Sequence, residues 1–335
     1  MNTPSSVADV GEQALVALVR ERVPRAPAWV AIGLGDDAAV VEPERNTLDV
    51  FTTDAMVEGV HFDRAYTAPA AIGHRALAVN LSDLAAMGAS PRVALLSLVL
   101  PPALLLSDFA ALIDGFLVLA AAHGVTLAGG NITRSPGPLI VDVTAIGSVR
   151  RRRVLTRSGA RPGDDVWVSG AIGAAAAGRG SLAGVLPRDP TMADCEAAFL
   201  RPEPRIRLGM LLGRNRAASA CVDLSDGLAD GLHQLSLASG AGIEVDAEAI
   251  PVAPPARAWF AARGEDALIS AVTGGDDYEL LFAVRPRHRS RFRTVRQQAG
   301  AVPLTRIGVV STTSGVTFRR NGVSEPVPSG YAHFR

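Results

Sequence analysis

Six short phrases of the chain concentrate oxygen-bearing side chains: GDD at 35–37, TTD at 52–54, NLSD at 80–83, GGN at 129–131, DLSD at 223–226 and GGDD at 274–277. Each sets small or hydroxyl residues beside an acid or an amide, and most follow an apolar run. One such phrase is an Asx-turn or a helix cap. Six of them point to a site for metal and phosphate assembled from several loops. The stretch from Ala31 to Phe62 shows the logic. Two apolar, strand-like runs end in Asp36 and Asp37 and in Thr52, Thr53 and Asp54, with no Lys or Arg beside them. Two carboxylates ~4 Å apart at an effective dielectric of about 20 repel by on the order of 4 kcal/mol. A positive species must therefore sit between such groups wherever the fold brings them together. Mg²⁺, a hard cation that takes oxygen ligands and arrives with phosphates, is the natural candidate.

The elements that must position these phrases follow from hydrophobic periodicity. Helices are expected over 7–23, 68–88, 107–123 (with Ser107 as N-cap), 203–214, 228–239 and 286–299, the last very basic, and 267–273 leads into the GGDD turn. Strands are expected over 93–100, 125–128, 139–149, 166–169, 220–224 and 243–245. A further strand follows the GGDD turn, and a hairpin over 307–323 has turns near Ser314-Gly315 and Asn321-Gly322. GAIGAAAAG, after the strand at 166–169, reads as a glycine turn into a helix. The charged, aperiodic stretch Arg150–Asp165 is the expected boundary between domains 1–149 and 150–335. Each half mixes strands and helices with two strands close together near its start, which fits α+β layering with mixed or antiparallel sheets flanked by helices.

Composition excludes several functions. The 335 residues carry zero formal net charge, against a nucleic-acid protein that relies on bulk charge. The four arginines at 150–153 have no interleaved aromatic residues and read as a solvated linker. There is no lysine, which removes P-loop kinases, ordinary protein kinases and pyridoxal-phosphate enzymes. Cys195 and Cys221 make neither a disulfide framework nor a zinc site and read as small buried hydrophobes. The N-terminus lacks a signal-peptide pattern, and the apolar run Leu95–Leu106 is broken by Pro101 and Pro102. A cytoplasmic protein without membrane or nucleic-acid partners is expected. GLGDDA at 33–38 formally matches a dinucleotide fingerprint, but extended residues follow it where a helix is required, and two Asp would repel the pyrophosphate. Ser225 is not in a nucleophile elbow. His61 and His233 lack a metal-ligand partner one helical turn away, and His233 reads as an ordinary helix residue.

Taken together, GDDAAVV, TTDAMVEGVHF, HRALAVNLSDLAAMGASP, GGNITRSPG, LTRSGARPGD, DLSDGLADGL and GGDDYELLF resemble, in identity and order, the thiamine-monophosphate kinase family. That family lies in the superfamily of aminoimidazole ribonucleotide synthetase and selenophosphate synthetase. The resemblance runs from about residue 30 to the terminal GYAHF. It implies a two-domain aminoimidazole ribonucleotide synthetase-like fold, a homodimer formed through the N-terminal domains, and ATP-dependent phosphorylation of thiamine monophosphate by direct in-line transfer with several Mg²⁺ ions. Carried over by motif, Asp37, Thr52, Thr53, Asp54, Asp83, Asn131, Asp223 and Asp226 would hold Mg²⁺, with Asp36 a weaker candidate. Gly130, Asn131, Arg157 and Ser225 would contact ATP. His61, Asp276 and Tyr331 would contact thiamine monophosphate, and Asp54, Asp83, Asp223 and Arg157 would serve the transfer itself. Asn131 is a departure, since the family usually has Asp there. Asn keeps an oxygen ligand and removes a full charge, so weaker binding of one Mg²⁺ is expected. A related synthetase with another acceptor and a nucleotide-binding protein without turnover are the alternatives.

Overall fold

The computed structural model describes residues 5–184 and 189–328. By its internal contacts the chain forms two compact units, one taking residues up to Leu81 and Pro91–Ser148, the other Ser82–Ser90 and the chain from Val149 onward.

The first unit opens with α1 (Val7–Val10) and α2 (Glu12–Arg22), so the expected single helix breaks at Gly11. A short antiparallel ribbon pairs β1 (Val30–Ile32) with β2 (Val40–Val41). The main sheet has four strands, β3 (Leu48–Val57), β4 (Ser90–Leu100), β5 (Thr126–Arg134) and β6 (Ile140–Val149), in the order β3-β6-β4-β5. Two helices, α3 (Pro69–Ala86), whose residues from Ser82 onward belong to the second unit, and α4 (Leu106–His123), complete the unit's elements. Among the described residues α4 is the helix long and apolar enough to cross a membrane by composition. Its Phe109, Leu112, Ile113, Phe116 and Leu119 are buried within the protein, as in a core helix, and each such side chain contributes about 1.5–3 kcal/mol on burial. Ser107 lies inside α4, whose N-cap is Leu105 without a side-chain bond.

Two sequence expectations change in this unit. Thr52, Thr53 and Asp54 lie in the middle of β3 rather than at a strand end. Gly129, Gly130 and Asn131 do not end their strand, because β5 runs on to Arg134 beside its parallel partner β4. The glycine serves close backbone approach: a Cβ at Gly130 would lie 1.9 Å from the Leu96 carbonyl oxygen.

The second unit is built on a seven-stranded sheet. Its strands are β7 (Asp165–Ser169), β8 (Ala220–Asp223), β9 (Gly242–Asp246), β10 (Leu280–Val284), β11 (Leu304–Ser311), β12 (Val316–Arg320) and β13 (Val323–Pro326). The order is β13-β12-β9-β11-β7-β10-β8, antiparallel except for β12 on β9. The helices are α5 (Ala174–Ala183), α6 (Ala193–Leu200), α7 (Ile206–Asn215), α8 (Leu228–Ser239), α9 (Pro254–Ala262), α10 (Ala267–Thr273) and α11 (Arg289–Gln298). Val166, Val222, Leu232, Ile243, Leu281 and Phe318 join strands and helices in one core. Every residue of β10 is buried, the pattern of a strand covered on both faces. The turn at Asn321-Gly322, with φ of 50° and 79°, joins β12 to β13 as a two-residue hairpin. The turn at Ser314-Gly315 does not, because β9 inserts between β11 and β12. Arg151–Arg153 form a 3₁₀ turn with Arg151 and Arg152 exposed. Cys195 and Cys221 are free and buried.

Candidate active site

In the second unit the site starts at the carboxyl end of β8. Asp223 is the last residue of that strand, opposite Leu280 of β10, and only 6% exposed. The fully buried Ser82, from the last turns of α3, donates its hydroxyl to Asp223 Oδ2 at 2.7 Å. Burial first, and the charge of Asp83 second, raise the Asp223 carboxyl from 3.8 to about 7, against the Ser82 hydroxyl and the positive charge of Arg157. Two carboxylates 140 positions apart in sequence are thus held within electrostatic reach. Asp83 occupies the last turn of α3, the negative end of the helix dipole, where an acid is disfavoured. NLSD is therefore helical, and the helix delivers its Ser and Asp together. Packing alone does not explain a buried acid held within electrostatic reach of a second acid.

The DLSD and GGDD phrases form one structure. The Asp276 N–H donates to the Ser225 carbonyl at 2.7 Å, and the Tyr278 N–H to the Leu224 carbonyl at 3.0 Å. The two loops leave no room between them, since a Cβ at Gly275 would lie 2.6 Å from the Ser225 carbonyl oxygen. Asp277 accepts the Gly173 N–H at 2.9 Å, at the start of α5. Burial pushes its carboxyl well up despite that bond. Glu279 is buried in an ion pair with Arg205, whose Nε lies 2.7 Å from Oε2. Ser225, Asp226 and Asp276 are half-buried and Arg157 is exposed. Ser82, Asp277, Tyr278 and Glu279 have no site role assigned from the sequence alone, although Ser82 stands out as a polar interruption of its helix and each belongs to one of the quoted phrases. The signal was the polar residue within an otherwise buried helix, and the run of acids about Tyr278.

In the first unit, alternation along β3 separates three neighbours. Thr52 and Asp54 are half-buried on one face, and Thr53 is exposed on the other. There the Thr53 hydroxyl donates to Asp142 at 3.2 Å and accepts from Thr144 at 3.2 Å. Its side chain therefore does not share a ligand with those of Thr52 and Asp54. Asp36 and Asp37 are exposed in a turn where the Asp37 N–H bonds the Asp36 carboxylate at 3.0 Å. His61 follows β3, and its Nδ1 accepts the Val57 N–H at 3.1 Å. The neutral ring then carries its proton on Nε2. Gly130 and Asn131 are exposed on β5 and border an apolar pocket lined also by Val16, Val19, Leu34 and Leu96. His233 is exposed on α8. Tyr331 lies outside the described residues. Among the described residues no three His, Cys, Asp or Glu side chains are grouped to hold a metal by themselves.

Residues 35–149 match AIR synthase related protein, N-terminal domain, and residues 161–321 match AIR synthase related protein, C-terminal domain. The chain belongs to this family of two-domain α+β proteins and, within it, to the thiamine-monophosphate kinases. It is 40% identical to the thiamine-monophosphate kinase of Salmonella typhimurium, over 97% of this chain and 98% of that one. It is 34% identical to that of Bacillus subtilis, over 91% and 94%. Among solved structures, thiamine-monophosphate kinase from Stenotrophomonas maltophilia superposes with a TM-score of 0.79 at 37% identity, covering 93% of this chain and 96% of that one. AaThiL complexed with AMPPCP and TMP superposes with a TM-score of 0.77 at 31% identity, covering 99% and 100%.

Proposed function

We propose that this protein transfers the γ-phosphoryl group of ATP directly to the phosphate of thiamine monophosphate, giving thiamine diphosphate and ADP. The observation that carries this reading is the buried Asp223, held by Ser82 and facing the charge of Asp83, at the mouth of the paired DLSD and GGDD loops. Phosphoryl transfer asks a protein for positioning and charge neutralisation more than for covalent chemistry. The donor set suits Mg²⁺: hard carboxylate and hydroxyl oxygens, with one carboxyl raised by burial and by the neighbouring charge of Asp83. Mg²⁺ is commonly held by one or two carboxylates and completed by substrate phosphates, which fits two acids rather than three. Asp83, Asp223 and Asp226 in one unit, and Asp37, Thr52, Asp54 and Asn131 in the other, would hold the ions. Bound Mg²⁺ would supply neutralisation of the triphosphate and of the charge that spreads over the transferring group.

This chain's own groups supply the rest. Arg157 neutralises donor phosphate, and Gly130 lets the triphosphate approach the backbone of β5. Ser225 contributes a hydroxyl to ATP. His61, protonated on Nε2, donates to the acceptor phosphate, and Asp276 faces the cationic ring of thiamine. The acceptor phosphate is itself ionised near pH 7, so it attacks without a strong general base. A single-turnover assay with γ-labelled ATP, Mg²⁺ and thiamine monophosphate tests the reading. Label should appear in thiamine diphosphate and vanish with EDTA. ATP consumption with no labelled thiamine diphosphate would overturn it.

Asn131→Asp restores a charge on β5 and should lower the Mg²⁺ concentration giving half-maximal rate about tenfold, the Coulomb gain of one charge in a partly solvated site. An unchanged Mg²⁺ titration would show that position 131 ligates no ion. A homodimer is also part of the reading. It is supported by Phe51, a large apolar side chain 67% exposed on the outward face of β3. Phe51→Asp should give a monomer by light scattering, and a dimer of unchanged dissociation constant would place the interface elsewhere.

A further inference from the structure

We propose that Tyr278 is a positioning residue, whose phenol fixes the Asp276 carboxylate in the orientation that receives the cationic ring of the acceptor. This rests on the reading above, in which Asp276 faces thiamine monophosphate.

The backbone is the first observation. Asp276 has φ 69° and Tyr278 has φ 50°. A bulky aromatic residue in the left-handed region is an outlier, and such conformations persist where the surroundings over-determine them. Here they do. The Asp276 and Tyr278 N–H groups bond the Ser225 and Leu224 carbonyls, and the Leu224 N–H bonds the Glu279 carbonyl at 2.9 Å. The acids between and beyond are committed elsewhere, Asp277 to the Gly173 N–H and Glu279 to Arg205.

The side chains are the second observation. Tyr278 is 7% exposed, and its hydroxyl donates to Asp276 Oδ1 at 3.1 Å. A bond to one oxygen sets the plane of the carboxylate. Asp276 therefore meets a cation with less rotamer freedom left to lose, which is how a preorganised group gains affinity. A sequence with ordinary backbone at these two positions would keep the acid and lose its orientation. The strain is thus tied to a task of the site, and Tyr278 acts through Asp276 without touching the substrate.

The test uses the full-length protein with Tyr278→Phe, Asp276→Asn and the double variant. Calorimetric titration with thiamine monophosphate is read beside titration with an ATP analogue on the same preparations. Loss of folded protein lowers both signals and so does not pass for the predicted effect. Tyr278→Phe should weaken thiamine monophosphate about 10- to 100-fold, the value of a hydrogen bond to a charged group, and leave the nucleotide unchanged. In turnover the same factor should appear in KM with kcat nearly constant. The double variant should bind no more weakly than Asp276→Asn alone, because the two residues act as one. Wild-type affinity in Tyr278→Phe, or effects that simply add, overturn the proposal. Asp276→Asn with wild-type affinity removes the contact on which it rests. If the wild type binds thiamine monophosphate with the predicted Tyr278 dependence yet transfers no phosphoryl group, the kinase reading falls and the positioning role stands.

Discussion

Asp223→Asn is expected to lower single-turnover transfer by about 10³-fold while leaving the ligand-free protein at least as stable as wild type. The magnitude is that of removing one preorganised electrostatic group from a phosphoryl-transfer site. The stability half follows from burial. In the ligand-free fold Asp223 has Ser82 as hydroxyl donor and Asp83 as an opposing charge, and its carboxyl is raised from 3.8 to about 7. A group whose folded value is raised favours the fold in its neutral form. That contribution is complete below the unfolded value, near pH ~4, and is lost as pH rises through the folded value. Ligand-free wild type in EDTA should therefore lose thermal stability between pH 5 and pH 8, and Asp223→Asn should lose less across the same interval. The acid is retained against stability because the site requires its charge, the usual trade at catalytic positions. Transfer within tenfold of wild type, together with an unchanged pH slope, would remove Asp223 from the machinery.

Much of this arrangement was legible in the chain because the phrases are local. The span of α8 follows directly from apolar periodicity, with a Gly closing the helix, whereas α10, at seven residues, is too short for its period to show. The end of β8 at Asp223 was visible as an apolar run meeting DLSD. What was not legible depends on partners distant in sequence. Nothing within 304–326 tells β12 to pair with β9 rather than with β11, since that choice is made by a strand some 70 residues earlier. GGN at 129–131 looks like a turn by composition. It is a strand because β4 lies alongside, close enough to demand glycine opposite Leu96. Asp83 illustrates both sides. Its phrase was marked as chemical from residue type alone, but its place in the last turn of a buried helix, beside Ser82 and facing Asp223, comes from the tertiary structure. Thr53 is the converse. It sits between two candidate ligands in sequence, and the two-residue period of β3 turns it to the other face.

The contact between the DLSD and GGDD loops yields a second large effect, at a residue with no functional group. Gly227 has φ 95° and ψ 168°, a region essentially reserved for glycine. A Cβ there would lie 2.5 Å from the Gly274 carbonyl oxygen and 2.9 Å from that of Val272. Gly227→Ala should cost about 2–5 kcal/mol, adding backbone strain to a backbone contact that has to open. The loops would part at the point where Asp276 hangs from Ser225 and where α8 begins, so Ser225, Asp226 and Asp276 would all shift. A displacement of about 1 Å in positioned groups costs on the order of 10²-fold in rate, and that loss is expected in kcat/KM at a temperature where the variant remains folded. Gly240→Ala supplies the control. Gly240 is also left-handed, with φ 62°, at the other end of α8, but a Cβ there meets nothing within 4 Å. It should cost about 1 kcal/mol through strain alone and leave kcat/KM unchanged. If both variants lose stability but neither loses activity, contact between the two loops is scaffolding and the orientation of Asp276 does not depend on it. If Gly227→Ala alone loses activity, the glycine between the acidic phrases is part of how the site is held.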